Sequence, residues 1–252
     1  KTMPRVLYII GQLRRGGAEQ QLFYLLKYWP HSATVLVLEN NPSEAYWAQP
    51  IRELGYPVIE ITRHSHYDVK RLVKIVHLLR ILRPDIVHLF TDAPAGVYGR
   101  IAALLIRHPC VIVNERHQPS DHPAWFLQLK RHWLNRYVAA VVTNARSSQN
   151  FIVSDLNIPA QKAHYIPNGL DLKPFANAAI DDHSIALPDG WENNKIIIGT
   201  VGSLRHQKAP EVWLKVARRV IDIYPEVRFL HIGKGPLLEA AKAFRDTLCL
   251  ID

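Results

Sequence analysis

A chain of 252 residues that is 48% hydrophobic has room for one large domain or two smaller ones, and its composition excludes wholesale disorder. Two cysteines far apart, Cys110 and Cys249, exclude a disulfide framework and a zinc cluster and fit a reducing, cytoplasmic setting. The net charge of +9 is one-sided: residues 1–170 hold 20 Lys+Arg against 11 Asp+Glu, whereas residues 171–252 hold 11 of each, so the first two-thirds of the chain attracts phosphates or an anionic membrane surface.

In chain order, residues 5–10 read as a buried strand, and the apolar run is too short for the core of a signal peptide. Residues 18–28 follow with Leu22, Leu25 and Leu26 at helical spacing. Strands are predicted at 33–38 and 57–61, and a helix at 69–82 with Leu72, Val73, Val76, Leu79 and Leu82 on one face. Pro84 ends that helix, and 85–90 is the next strand. A helix at 97–106, a strand at 110–113, a helix at 125–137, a strand at 139–143 and a helix at 145–153 continue the alternation. A short strand then meets the turn signal Pro167-Asn168-Gly169. After a polar stretch, a strand at 195–202, a helix at 211–224 with Val212, Val216, Val220 and Tyr224 in line, a strand at 227–233 and a helix from 239 complete the pattern. No uncharged apolar stretch reaches the ~18 residues of a membrane span.

Repeated β-α units of this length predict an α/β chain with parallel, doubly wound sheets, organised as two Rossmann-like β/α/β domains. The first is expected over 1–170 and the second from 171. The second would have 252 − 170 = 82 residues, short of the roughly 100–150 typical of a domain, and is therefore expected to be incomplete.

Three turns at strand ends carry candidate chemistry. Gly11-Gln12-Leu13-Arg14-Arg15-Gly16-Gly17-Ala18-Glu19 leads from the first strand into a helix, whose free N–H groups and positive dipole end suit a phosphate. Gly202-Ser203-Leu204-Arg205-His206-Gln207-Lys208 puts two cations, Arg205 and Lys208, where they can neutralise a diphosphate as its charge grows. Gly233-Lys234-Gly235-Pro236 makes a tight turn able to approach a base or ribose closely. Each also has an ordinary reading, as a glycine turn, a solvated basic loop and a plain helix start. His88, inside a strand, reads as a hydrogen-bonded core histidine.

Taken in order, Gly-Gly-Ala-Glu at 16–19, Ile-Pro-Asn-Gly-Leu-Asp at 166–171, Val-Gly-Ser-Leu at 201–204 with Gln207-Lys208, and His-Ile-Gly at 231–233 with Gly235-Pro236 resemble family 4 glycosyltransferases of the GT-B fold. The resemblance covers nearly the whole chain. It implies an N-terminal acceptor domain and a C-terminal donor domain with a nucleotide-diphosphate sugar between them. It also implies transfer to a glycan or lipid-linked acceptor with retention of configuration, without a metal ion or other cofactor. Carried over residue by residue, Gly16 and Gly17 meet the donor phosphates, Lys208 meets the diphosphate, Gly233 and Gly235 belong to the nucleotide turn, and His117 stands beside acceptor and sugar as the catalytic candidate. Ser203 replaces the family's usual arginine, for which Arg205 can substitute, and Lys234 stands where an acidic residue is frequent. The family's Glu-x7-Glu motif does not occur after Pro236. The chain is therefore expected to stop within the donor domain and to be weak or inactive as a catalyst.

The segment 123–134 places Trp125, Leu129 and Trp133 at i, i+4, i+8 beside Lys130 and Arg131. This pattern suits peripheral contact with an anionic membrane or, more ordinarily, a core-facing helix with a basic outer side. Two other functions remain open: a non-catalytic module binding a glycan or membrane, and a GT-B sugar-nucleotide epimerase. The dispersed basic residues and the lack of any recognition motif argue against nucleic acid.

Overall fold

The structure, a computed structural model, describes residues 3–38, 45–62, 68–91, 94–116, 134–176, 191 and 196–250. The chain divides into two compact units, Lys1–Pro174 and Phe175–Asp252. In the first, β1 (Val6–Ile10), β2 (Ala33–Val37), β3 (Val58–Glu60), β4 (Ile86–Leu89), β5 (Val111–Glu115), β6 (Ala140–Thr143) and β7 (Ala163–Tyr165) form one parallel sheet in the order β3-β2-β1-β4-β5-β6-β7. Val6 pairs with Ala33 on one side and Ile86 on the other. The order reverses between β1 and β4, which makes the C-terminal ends of those strands the natural binding crevice.

Five helices flank this sheet among the described residues: α1 (Gly17–Tyr28), α2 (Ala48–Glu53), α3 (Val69–Leu82), α4 (Pro94–Leu105) and α5 (Arg146–Ser154). Tyr8, Ile10, Val35 and Val37 pack with Leu22 and Leu26 of α1 and Ile51 of α2. Leu7, Ile9, Val87 and Leu89 pack on the opposite face with Ile75 and Leu79 of α3, Ala102 of α4 and Ile152 of α5. Every residue of β1 is consequently buried, as in a strand covered on both faces. Right-handed crossovers account for the sorting: connections leaving β1 and β2 take one face, and the connection from β3 takes the other.

The helices begin and end for local reasons, with some departures from expectation. Asp68 caps α3 by accepting the Arg71 backbone N–H at 3.0 Å, and Arg83 closes it in the left-handed conformation before Pro84. Val73, expected on the inner face of α3, is exposed; Arg71 and Ile75 are buried instead. The buried Arg71 guanidinium donates to the Leu38 carbonyl and lies 4.9 Å over the Tyr98 ring, which explains how a cation enters the core. The α4 helix starts at Pro94, before the expected position, because proline fits a first helical turn. Unanticipated α2 holds Pro50 in its first turn, where the absent N–H costs no intrahelical bond.

The second unit contains parallel strands β8 (Ile196–Val201) and β9 (Val227–Ile232) and the helices α6 (Pro210–Ile223) and α7 (Leu238–Thr247). Trp213 meets Phe229 edge-on at 5.2 Å, beside a cavity of about 530 Å³ under both helices. The stripe of Val212, Val216 and Tyr224 is exposed; the cavity side of α6 is Trp213, Ala217 and Ile221. Two neighbouring apolar stripes share the same helical period, so periodicity does not choose between them. Both units carry a Rossmann-like arrangement of parallel strands and helices. Among the described residues no helix is long and apolar enough to cross a membrane.

Candidate functional site

The crevice of the first unit is built at the ends of β1, β4 and β5. The Gly11 backbone N–H donates to Thr91 Oγ1 at 3.2 Å, tying the loop after β1 to the end of β4. Gly16 is the residue that precedes α1, in extended backbone, and Gly17 is its first helical residue. A side chain on Gly16 would collide with the carboxylate of Glu19, whereas Gly17 faces open space. Glu19 thus folds back over the helix start, and its carboxylate accepts its own backbone N–H. Burial pushes the Glu19 acid above the usual carboxylate range, and Arg14 and Arg116 pull it back. An incoming phosphate at Gly16 and Gly17 would meet this carboxylate in addition to the helix N-terminus.

Arg116, immediately after β5, is the counter-charge. Its guanidinium lies 5.1 Å over the Phe90 ring and donates from Nη1 to Asn168 Oδ1 at 3.1 Å. Its Nε is buried without a hydrogen-bond partner among the described residues. Burial lowers its pKa and Glu19 raises it. A desolvated cation with a spare N–H at a switch point is suited to an anionic or hydroxyl-rich ligand.

The segment from Ile166 to Asp171 runs along α1 and is held at both ends. Gln21 donates to the Gly169 carbonyl at 2.7 Å and accepts the Gly169 N–H at 2.8 Å. The Tyr28 hydroxyl donates to Asp171, Lys27 Nζ stands 3.6 Å from the same carboxylate, and these groups, the Tyr28 hydroxyl first, hold Asp171 below its ordinary value. Between this segment, α1 and the sheet lies a cavity of about 610 Å³. Its lining is mostly apolar, with a few polar side chains paired on the sheet side. The Tyr8 hydroxyl and His31 Nε2 are 2.9 Å apart, as are His88 Nε2 and Asn114 Oδ1. Burial lowers His88 to about 4 and raises Tyr8 well above its ordinary value, so both stay neutral near pH 7.

In the second unit, two turns are joined backbone to backbone. Gly202 N donates to Ile232 O at 3.0 Å, Leu204 N to Lys234 O at 3.2 Å and Leu237 N to Leu204 O at 3.1 Å. Gly233, at φ +155°, lies against the Gly202 carbonyl, and a Cβ on Gly235 would sit 2.7 Å from Leu204 N. The two glycines therefore serve the close approach of one loop to the other. Arg205 and Lys208 are exposed on the joined loop, and no side-chain hydrogen bond or ion pair engages either among the described residues.

Gly16 and Gly17 belong to the first unit; Arg205, Lys208, Gly233 and Gly235 belong to the second. His117 lies outside the described residues, as do Trp125, Leu129 and Trp133. The sequence offers no signal for Gln21 and Tyr28, and it presents Asn168 only as the centre of the Pro-Asn-Gly turn. The Pro-Asn-Gly turn was the available signal, and it marks a boundary without naming what the turn touches. Among the described residues no group of three or more His, Cys, Asp or Glu side chains is placed to hold a metal ion.

The family model described as Glycosyltransferase Family 4 matches residues 15–174. Over 235 residues the chain is 27% identical to the UDP-Gal:alpha-D-GlcNAc-diphosphoundecaprenol alpha-1,3-galactosyltransferase of Escherichia coli, covering 88% of this chain and 59% of that protein. It thus spans about three-fifths of that relative's length. The crystal structure of Anabaena HepE in complex with UDP and glucose superposes with a TM-score of 0.75 at 18% identity, covering 99% of this chain and 67% of that one. The UDP-GlcNAc 2-epimerase of Neisseria meningitidis, bound to UDP-GlcNAc, gives a TM-score of 0.60 at 17% identity, with 97% and 69% covered. At these identities the structural likeness concerns the fold.

Proposed function

Because this chain belongs to Glycosyltransferase Family 4, we propose that its protein transfers a sugar from a nucleotide-diphosphate sugar, with UDP as the carrier, to a glycan or lipid-linked acceptor. The first unit holds the acceptor and the second the donor. The observation that carries this reading is the state of Arg205 and Lys208: exposed cations beyond the C-terminal end of β8, without a side-chain partner among the described residues, on a loop locked to the β9 turn. Such preorganised charge stabilises a diphosphate as it departs. Gly16 and Gly17 approach the phosphates, Gly233 and Gly235 shape the nucleotide turn, and His117 orients acceptor and sugar. The sugar keeps its anomeric configuration, and no metal takes part. The names of the E. coli relative and of the UDP-bound Anabaena structure support the carrier and the acceptor class. The protein acts in the cytoplasm, at the inner face of a membrane where its acceptor is anchored.

The epimerase alternative draws on the fold likeness to the Neisseria enzyme, at a lower TM-score than that of the Anabaena structure. One experiment separates the two. UDP-hexoses are incubated with a polyprenyl-diphosphate-linked sugar, with and without EDTA, and products are resolved by mass and NMR. An acceptor lengthened by one sugar of the donor's anomeric configuration, equally with EDTA, is expected. A free isomerised UDP-sugar without transfer would establish the epimerase; neither product, with no UDP binding by calorimetry, would defeat both.

A further inference from the structure

We propose that the cavity between α1, the sheet and the 166–171 segment is a groove for the prenyl diphosphate end of a lipid-linked acceptor. Arg116 holds the diphosphate, and the first isoprene units lie along the sheet. The inference rests on the acceptor class proposed above, and its test does not require transfer. At about 610 Å³ the cavity has the size of a small-molecule pocket. All its lining residues fall between Met3 and Asp171, within the first unit.

The wall is sorted by chemistry along the strands. The sheet presents Val6, Ile86, Ile112 and Val142 to it, and α1 presents Leu25. The registers Val6 with Ile86, His88 with Ile112 and Asn114 with Val142 put these strand residues on one face. Arg116 stands at the C-terminal end of the strands, over the Phe90 ring. At the other end Met3 precedes β1 and Trp29 closes α1, 55% and 56% exposed. From Gln21 to Trp29, both on the wall, α1 advances about 12 Å. With about 1.5 Å per carbon–carbon bond, the four-carbon repeat of a prenyl chain extends about 5 Å, so the groove takes about two to three isoprene units.

The polar groups of the wall identify the ligand by what they leave over. Tyr8 pairs with His31, His88 with Asn114, Gln21 with Gly169, and Asp171 with Tyr28 and Lys27. A nucleoside or a glycan lying here would bury donors and acceptors against apolar side chains, at a cost in free energy. Arg116 differs from the paired groups. Its Nε is buried without a partner among the described residues, and Glu19, the carboxylate that acts on it, is not part of the wall. One desolvated cation at the end of an apolar groove matches an anionic head on a hydrocarbon tail. The diphosphate offers the guanidinium paired oxygens, and the tail leaves water for the aliphatic wall.

Calorimetry of the purified chain with farnesyl diphosphate tests the groove. Affinity should rise about tenfold per isoprene unit from dimethylallyl through geranyl to farnesyl diphosphate, then level off at geranylgeranyl diphosphate. Inorganic diphosphate should bind at least about 100-fold more weakly than farnesyl diphosphate. R116Q should weaken farnesyl diphosphate binding about 10- to 100-fold. L170E, on a wall position that is 58% exposed, should weaken it about tenfold or more. R219E, on an exposed position of α6, should leave it unchanged. Circular dichroism confirms that each variant is folded. On photolysis, a diazirine analogue of farnesyl diphosphate should label peptides containing Met3, Trp29 or Leu170. Affinity independent of chain length, binding unaffected by both R116Q and L170E, or labelling confined to the second unit would overturn the proposal. So would a dimer in sedimentation equilibrium that L170E dissolves, with no farnesyl diphosphate binding by the unmodified chain; the groove would then belong to a second copy. Farnesyl diphosphate binding without any transfer by the unmodified protein would overturn the enzyme reading and leave the groove standing. Transfer at a KM independent of prenyl length, with no farnesyl diphosphate binding, would do the reverse.

Discussion

Replacing Gly233 by alanine tests how the two loops of the second unit are joined. Gly233 has φ +155°, a conformation that costs an L-residue about 1–3 kcal/mol. Its new Cβ would also lie 2.8 Å from the Gly202 carbonyl carbon and closer still to the oxygen. That carbonyl belongs to backbone and cannot rotate away as a side chain would. Its displacement strains the Gly202–Ile232 and Leu204–Lys234 hydrogen bonds, at 3.0 and 3.2 Å, each contributing about 1 kcal/mol. The expected loss is therefore about 2–5 kcal/mol, confined to the second unit. With a urea dependence of about 1 kcal/mol per molar for a unit this small, the midpoint should fall by about 2 M or more. Tryptophan fluorescence reports the transition, and amide exchange at Gly202 and Leu204 should accelerate with it. Gly202→Ala is the control: nothing lies within 4 Å of its Cβ position and no positive φ is recorded there, so stability should change by less than about 1 kcal/mol. A Gly233→Ala variant with an unchanged midpoint and slow exchange at both amides would refute the reasoning.

Lys208→Ala and Arg205→Ala should each weaken UDP binding about 10- to 100-fold by calorimetry without moving the melting temperature, because neither exposed side chain supports the fold. Arg116→Gln keeps a donor for Asn168 but removes one of the two cations, with Arg14, that lower Glu19. The Glu19 carboxyl should titrate higher by NMR, and kcat/KM should fall about 10- to 100-fold. His88 is neutral in the fold, with its pKa lowered from 6.5 to about 4, so unfolding takes up a proton between those values. Stability should be full above pH 6.5 and decline by about 3 kcal/mol as pH falls through 4. His88→Gln should flatten that slope in urea titrations performed across the range.

The strands and most helices could be located from the sequence because apolar periods and turn residues act over a few neighbours. Val69–Leu82 matches its expected bounds, and β6 and β9 differ from theirs by one residue. Inward faces were less legible. Val73 reads as core by spacing and stands in solvent, while Arg71, on which the spacing is silent, is buried against Leu38 and Tyr98. A helical period specifies the width of a stripe, and the layer above it decides which stripe is covered.

The turns at the strand ends were visible as glycines, prolines and cations, since backbone conformation and charge belong to single residues. Their partners were not. Gln21 meets Gly169 across 148 positions, and Arg116 meets Asn168 across 52. Gly233 looked like a ligand-facing glycine, and the fold uses it to admit the Gly202 carbonyl. The sequence by itself determined the α/β alternation, the one-sided charge and the family. Tertiary structure decided which cations are spent in the fold, as Arg71 is, and which are left outward, as Lys70, Lys74, Arg205 and Lys208 are. Burial and pairing depend on neighbours brought together by folding, and local residue order does not encode them.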